Sequence, residues 1–306
     1  MNGLNLLQQY IKEQELTGVI LISPINLHYF AGFTGTTGFA IITQDKAFMI
    51  TDFRYTEQAT KQCEGYTVIQ YESSVMDTLV DIFNEHHIHE GLFGIEGKQM
   101  PVDTYETLCD TLDERFNFTS INFAKLRAVK REDELELLRI AAKIGDDSFA
   151  ALLPQLKVGM TENEVRIILE TEMLKRGSEE PSFATIIASG KRSSMPHGVA
   201  SDKVIEAGDF VTIDFGSVYK GYHSDMTRTI VMGPASELQK KLYSIVLEAQ
   251  KRGVAAVRAG ITGKELDAIC RDYIKEHGYT KEFNHGTGHG LGLEIHEEPV
   301  ANTKSD

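Results

Sequence analysis

The 306 residues, 42% hydrophobic and 25% charged, describe a water-soluble protein with material for two cores, and a net charge of −14 with no basic stripe argues against a nucleic-acid partner. Cys63, Cys109 and Cys270 lie far apart with no C-x-x-C pair, which excludes a disulfide framework or a zinc knuckle and fits a reducing cytoplasm. The opening MNGLNLLQQYIKEQEL lacks a basic segment followed by an apolar one, and no run reaches the ~20 apolar residues of a membrane span, so neither secretion nor a membrane partner is expected.

Short β-rich runs come first, VILIS (19–23), GFAII (38–42), AFMIT (47–51) and YTVIQY (66–71). They alternate with the helical patterns RYTEQATKQC and VMDTLVDIF (75–83), which predicts an α/β domain on a mixed sheet. INFAKLRAVKRED then passes from a strand into a charged stretch that opens the amphipathic helix ELELLRIAAKIGDDSFAALL. The boundary is placed there, giving domains 1–127 and 128–306. Within the second, VGMTENEVRIILETEMLKRG matches RAGITGKELDAICRDYIKEHG at an offset of 101 residues. Gly159, Thr161, Glu164 and Gly177 fall on Gly260, Thr262, Glu265 and Gly278, so each copy reads as a T-x-x-E capping box, a helix and a glycine stop. Capped helices share this grammar by chance, but gapless matches that each precede a β-rich run favour a duplication. The expected α+β architecture is two similar helix-plus-sheet halves about a pseudo-twofold axis, with a site between them.

DFVTIDFGSVYKGYHSDMTRTIVMG (209–233) is two alternating runs joined by a turn at Tyr219, Lys220 and Gly221, the pattern of a hairpin. Asp214 sits where alternation calls for an apolar or small residue, and a turn near Lys220 puts Asp225 on the neighbouring strand and the same face. Two such carboxylates repel unless a cation lies between them, and a pair of divalent ions is the usual resolution; the alternative is two loop acids or helix caps. His223 shares the face of Asp225, which alone does not bring it to a metal. FNHGTGHGLGLEIHEEP (283–299) gathers His285, His289 and His296 among glycines, and imidazole beside carboxylate suits a divalent transition metal. His197, in the loop MPHG, is a lesser candidate. With no G-x-S-x-G, no H-E-x-x-H and no P-loop, a metal-activated water is the nucleophile that remains.

These residues resemble the pita-bread metallopeptidases (family M24), which include aminopeptidase P, prolidase, methionine aminopeptidase and the non-metal creatinase. NLHYFAGFTGTTGF (26–39) and TDFRYTEQA (51–59) are similar to the creatinase-type N-terminal domain, a domain that favours the Xaa-Pro branch. The resemblance implies Asp214, Asp225 and His289 as metal ligands, with His197, His285 and His296 as catalytic residues near the substrate and its departing proline. It also implies two further glutamate ligands on strands beyond the HEEP segment. The chain stops at Asp306 before them, and Glu294, Glu297 and Glu298 align with neither, so a catalytic domain incomplete at its C-terminus is expected. The implied activity is hydrolysis of the Xaa-Pro bond by a homodimer carrying two divalent ions, manganese first, with cobalt or zinc possible. A non-catalytic pita-bread module that binds peptides or proteins is the alternative, and creatinase-like chemistry a weaker third.

Overall fold

Runs of β-branched and aromatic residues become strands where neighbours can cover both faces. In a computed structural model that describes residues 2–306, this happens in two compact units, Met1–Leu126 and Arg127–Asp306. The first contains α1 (Gly3–Glu13), β1 (Gly18–Leu21), α2 (Pro24–Ala31), β2 (Phe39–Thr43), β3 (Ala47–Thr51) and α3 (Thr56–Gln62). It continues with β4 (Thr67–Gln70), α4 (Val75–Glu85), β5 (Gly91–Ile95), α5 (Val102–Leu112) and β6 (Phe116–Ser120). The strands form one mixed six-stranded sheet in the order β4-β3-β2-β1-β5-β6. Central strands β1, β2 and β3 are buried along their whole lengths, and Ile20, Ile41, Phe48, Ile50 and Phe93 build the core. The strand expected to lead into AKLR ends at Ser120, ahead of Ile121, and β5 was not anticipated.

A single helical turn, α6 (Ala124–Arg127), leads to α7 (Glu132–Leu152), α8 (Glu162–Lys175) and β7 (Ile186–Ser189). Then come β8 (Phe210–Phe215), β9 (Val218–Tyr219), β10 (Tyr222–His223), β11 (Met226–Val231), α9 (Glu237–Ala256), α10 (Gly263–Glu276), β12 (Gly288–Gly290) and β13 (Glu297–Ala301). The repeat is visible in space: α8 and α10 are each 14 residues long and start on a Thr–Glu capping box, Thr161 with Glu164 and Thr262 with Glu265. In the first half α7 and α8 pack on the three-stranded sheet β11-β8-β7 through Ile144, Leu169, Ile213 and Phe215. In the second half α9 and α10 share the smaller core of Ile245, Ala249, Cys270 and Ile274, beside the two-stranded β12-β13. An apolar groove of about 620 Å³ lies along α9, α10, β12 and β13.

Candidate metal centre

Alternation decides where the aspartates go. On β8, Val211, Ile213 and Phe215 enter the core, which leaves Asp214 on the opposite face with Phe210 and Thr212. β8 and β11 pair antiparallel with Asp214 opposite Thr227, and the β9–β10 pairs Tyr219–Tyr222 and Val218–His223 continue the same register. Asp225 therefore lies opposite Gly216, diagonal to Asp214 on one face. Gly216 is needed there, because a Cβ would overlap the Ser224 carbonyl.

Thr227 donates its hydroxyl to Asp214 Oδ1 at 2.6 Å. Burial holds the Asp214 carboxyl above the ordinary carboxylate value, against that hydrogen bond and the fields of His289 and His197. Asp225 is raised by burial and then by Asp214 itself, and His289 and His296 oppose the rise. The Asp214 charge thus makes ionisation of Asp225 harder, as a neighbouring like charge does. Among the described residues no group of three His, Cys, Asp or Glu side chains is arranged to hold a metal ion.

His289, on β12, places Nε2 at 3.4 Å from Asp225 Oδ2, and its Nδ1 lies 3.0 Å from the Gly290 carbonyl. A carbonyl only accepts, so Nδ1 carries a proton and Nε2 is the nitrogen turned toward the carboxylate. Two electron-rich atoms so placed call for a proton or a metal ion between them, and oxygen donors with one imidazole suit a divalent ion. The ring of His296 stands 4.2 Å from that of His289, centroid to centroid.

The structure thus gathers Asp214, Asp225, His289 and His296, with His197 near enough for its charge to act on Asp214. His285 is held elsewhere, with Nδ1 2.7 Å from the Gly286 carbonyl and the ring edge-on to Phe283. His223 donates its backbone N–H to the Gly292 carbonyl at 2.9 Å. Burial lowers the His223 imidazole from its ordinary value, against the opposing fields of Glu180, Glu297 and Glu294.

The sequence reading missed the buried acids that fasten the surrounding loops. Glu162, Asp267 and Glu297 are each 3% exposed or less, and each is ion-paired to an arginine, Arg192, Arg271 and Arg127 respectively. Burial works to raise Asp267, but the Arg271 and Thr287 donors outweigh it and hold the carboxyl below its ordinary value. Glu297, passed over because it matches no ligand, also fills the space beside Gly292, where a Cβ would strike its carboxylate.

The model of metallopeptidase family M24 matches residues 136–306, and that of the creatinase/prolidase N-terminal domain matches residues 4–129. The Xaa-Pro dipeptidase of Pyrococcus furiosus is 39% identical over 96% of this chain and 82% of its own length. The solved structure of an Xaa-Pro dipeptidase from Bacillus anthracis aligns with TM-score 0.94 at 44% identity, covering 99% of this chain and 85% of that one. An X-Pro aminopeptidase structure from Thermotoga maritima gives TM-score 0.90 at 36% identity, covering 95% and 84%.

Proposed function

The chain belongs to metallopeptidase family M24, with a creatinase/prolidase N-terminal domain and the pita-bread catalytic fold, and on that premise we propose that Asp214, Asp225 and His289 are metal ligands. The activity is that of a metal-dependent exopeptidase acting on Xaa-Pro bonds, the reaction its dipeptidase and aminopeptidase relatives are named for. The observation that carries the ligand assignment is His289 Nε2 facing the Asp225 carboxylate beside a second half-buried carboxylate, Asp214.

Divalent ions, when bound, supply a Lewis acid and a water acidic enough to attack at neutral pH. The two aspartates give that site its negative charge, and the Gly290 carbonyl keeps His289 in the tautomer that presents Nε2. His296, its ring tilted against that of His289, and His197, near Asp214, would donate hydrogen bonds to the scissile group, with His285 in the same role from its own loop. Manganese is the preferred ion because carboxylate oxygens dominate the donor set, with cobalt or zinc as substitutes. We place the protein in the cytoplasm as a homodimer; free cysteines at 63, 109 and 270 agree with that compartment.

Calorimetric titration of Mn²⁺ into the chain and into His289→Ala tests the ligand set. Saturable binding that weakens more than about tenfold in the variant is expected, and equal affinity in both would refute the assignment. Hydrolysis of an Ala-Pro dipeptide beside an Ala-Pro-Ala tripeptide then separates dipeptidase from aminopeptidase.

A further inference from the structure

Loops rich in glycine and serine have many conformations to lose, and an imidazole carried by a loose loop spends little time where it is useful. His197 and His285 ride on such loops, and His296 ends another. Each loop is fastened by a buried carboxylate outside the candidate ligand set.

Glu162, the first residue of α8, is fully buried. Its Oε1 accepts from Ser189 N at 2.8 Å and Ser189 Oγ at 2.9 Å. Its Oε2 accepts from Ser201 N at 3.1 Å, Ser201 Oγ at 2.6 Å and Arg192 Nε at 3.1 Å. One carboxylate therefore ties together both ends of segment 190–200, which carries His197.

Asp267 Oδ1 accepts from Thr287 N at 3.0 Å and Thr287 Oγ1 at 2.8 Å, and Oδ2 accepts from Arg271 Nε at 2.6 Å. Arg271 reaches onward to the carbonyls of Phe283 at 2.7 Å and His285 at 2.6 Å. Segment 283–287 is thus held on both sides of His285.

Glu297 Oε1 accepts from Glu294 N at 3.1 Å and Arg127 Nε at 3.3 Å, Oε2 accepts from Lys130 Nζ at 2.8 Å, and Arg127 also pairs with Glu294. That closes the turn 292–296 directly before β13. His289 sits between the second and third of these anchors.

We propose that Glu162, Asp267 and Glu297 are positioning residues, three arginine-paired clamps that fix the loops bearing His197, His285 and His296 and, between the last two, the strand of His289. The inference rests on the site reading above. Each clamp carries its own cations, so it fastens a loop without adding uncompensated negative charge near Asp214 and Asp225.

Glu162→Gln, Asp267→Asn and Glu297→Gln keep shape but turn an NH₂ group toward N–H and O–H donors, and they discharge the paired arginine. Amide hydrogen exchange and Mn²⁺ calorimetry on the full chain test the idea. Exchange across segment 190–200 should quicken about 10- to 100-fold in Glu162→Gln, with segments 283–287 and 292–296 unchanged, and the other two variants should each loosen their own segment. Mn²⁺ affinity should fall about tenfold in Asp267→Asn and Glu297→Gln, whose loops flank His289, and stay within about twofold in Glu162→Gln. Exchange that quickens equally in all three segments and the helices, or only at the amide that lost its acceptor, overturns the clamps. Local loosening with unchanged Mn²⁺ affinity in all three variants upholds the clamps and removes His289 from the ligand set. Should a carboxyl variant fail to fold, Arg192→Gln and Arg271→Gln, which lie 29% and 25% exposed, take its place with the same expectation for their own loops.

Discussion

Asp225 is the residue at which stability and function are expected to oppose each other. Its carboxyl is raised by burial and by Asp214, so at neutral pH the metal-free fold holds a charge that the unfolded chain carries more cheaply. Asp225→Asn should raise the thermal midpoint of the metal-free chain while weakening Mn²⁺ binding by more than about 100-fold, beyond the loss expected of an outer-shell change. A lower midpoint, measured by calorimetry in chelator, would show that the carboxylates do not strain the apo fold. The cysteines offer an independent check on burial. Cys63 is buried and its thiol pushed up to about 11, whereas Cys109 on α5 is only partly covered. Iodoacetamide at mild alkaline pH should label Cys109 well before Cys63, and equal rates by mass spectrometry would contradict the packing around α3. At this scale the aspartate pair was legible, because a hairpin's period of two turns spacing into facing. The clamps were not. Glu162 reads as an ordinary first-turn acid, and only the tertiary return of Ser189 and Ser201 makes it a buried hub.

Helices are the elements whose ends the sequence specifies most directly. Thr161 and Thr262 each accept from the N–H three residues on, at 3.1 Å, while Glu164 and Glu265 reach back to the threonine N–H. Thr161→Ala and Thr262→Ala should each cost about 1 kcal/mol in urea unfolding, and a cost near zero for either would mean that packing alone fixes that helix start. Further along α10, Asp267 gives the element an acid-sensitive anchor. Its folded value lies below the ordinary carboxylate value, so its stabilisation is fully present above the unfolded value and is lost as pH falls through the folded one. The gap in thermal midpoint between the native chain and Asp267→Asn should close on acidification from about pH 5 toward pH 2. A gap that persisted at the acid end would assign the effect to side-chain shape rather than charge. These caps and the repeat they mark were readable because helix grammar is local. β5 escaped because GLFGI is short and bears two glycines, and its strand character comes from lying between β1 and β6.

For the molecule as a whole, the sequence carried the pairing of a mixed α/β unit with a twofold-repeated one, since both follow from periodicities longer than any single element. The repeat's two halves are unequal in strand content, three strands beside one helix pair and two beside the other. Where α7 and α8 meet three strands, the matching face of α9 and α10 borders β12 and β13 and opens as the groove lined by Val246, Val254, Val257, Leu266 and Val300. Val246, Val254 and Val257 are each at least 60% exposed, and a continuous apolar patch of this kind takes up amphiphilic probes from water. Anilinonaphthalene sulfonate should therefore fluoresce strongly with the natively folded chain, before any denaturant is added. Val254→Asp puts a charge in the middle of the groove on the exposed side of α9, where it disturbs no core contact, and should lower that fluorescence by about half or more with the thermal midpoint nearly unchanged. Undiminished fluorescence would move the dye to another surface and leave the groove too shallow to hold an apolar guest. A large fall in midpoint would instead mean that Val254 supports the helix pair, and that the small core of Ile245, Ala249, Cys270 and Ile274 reaches further toward solvent than its burial suggests.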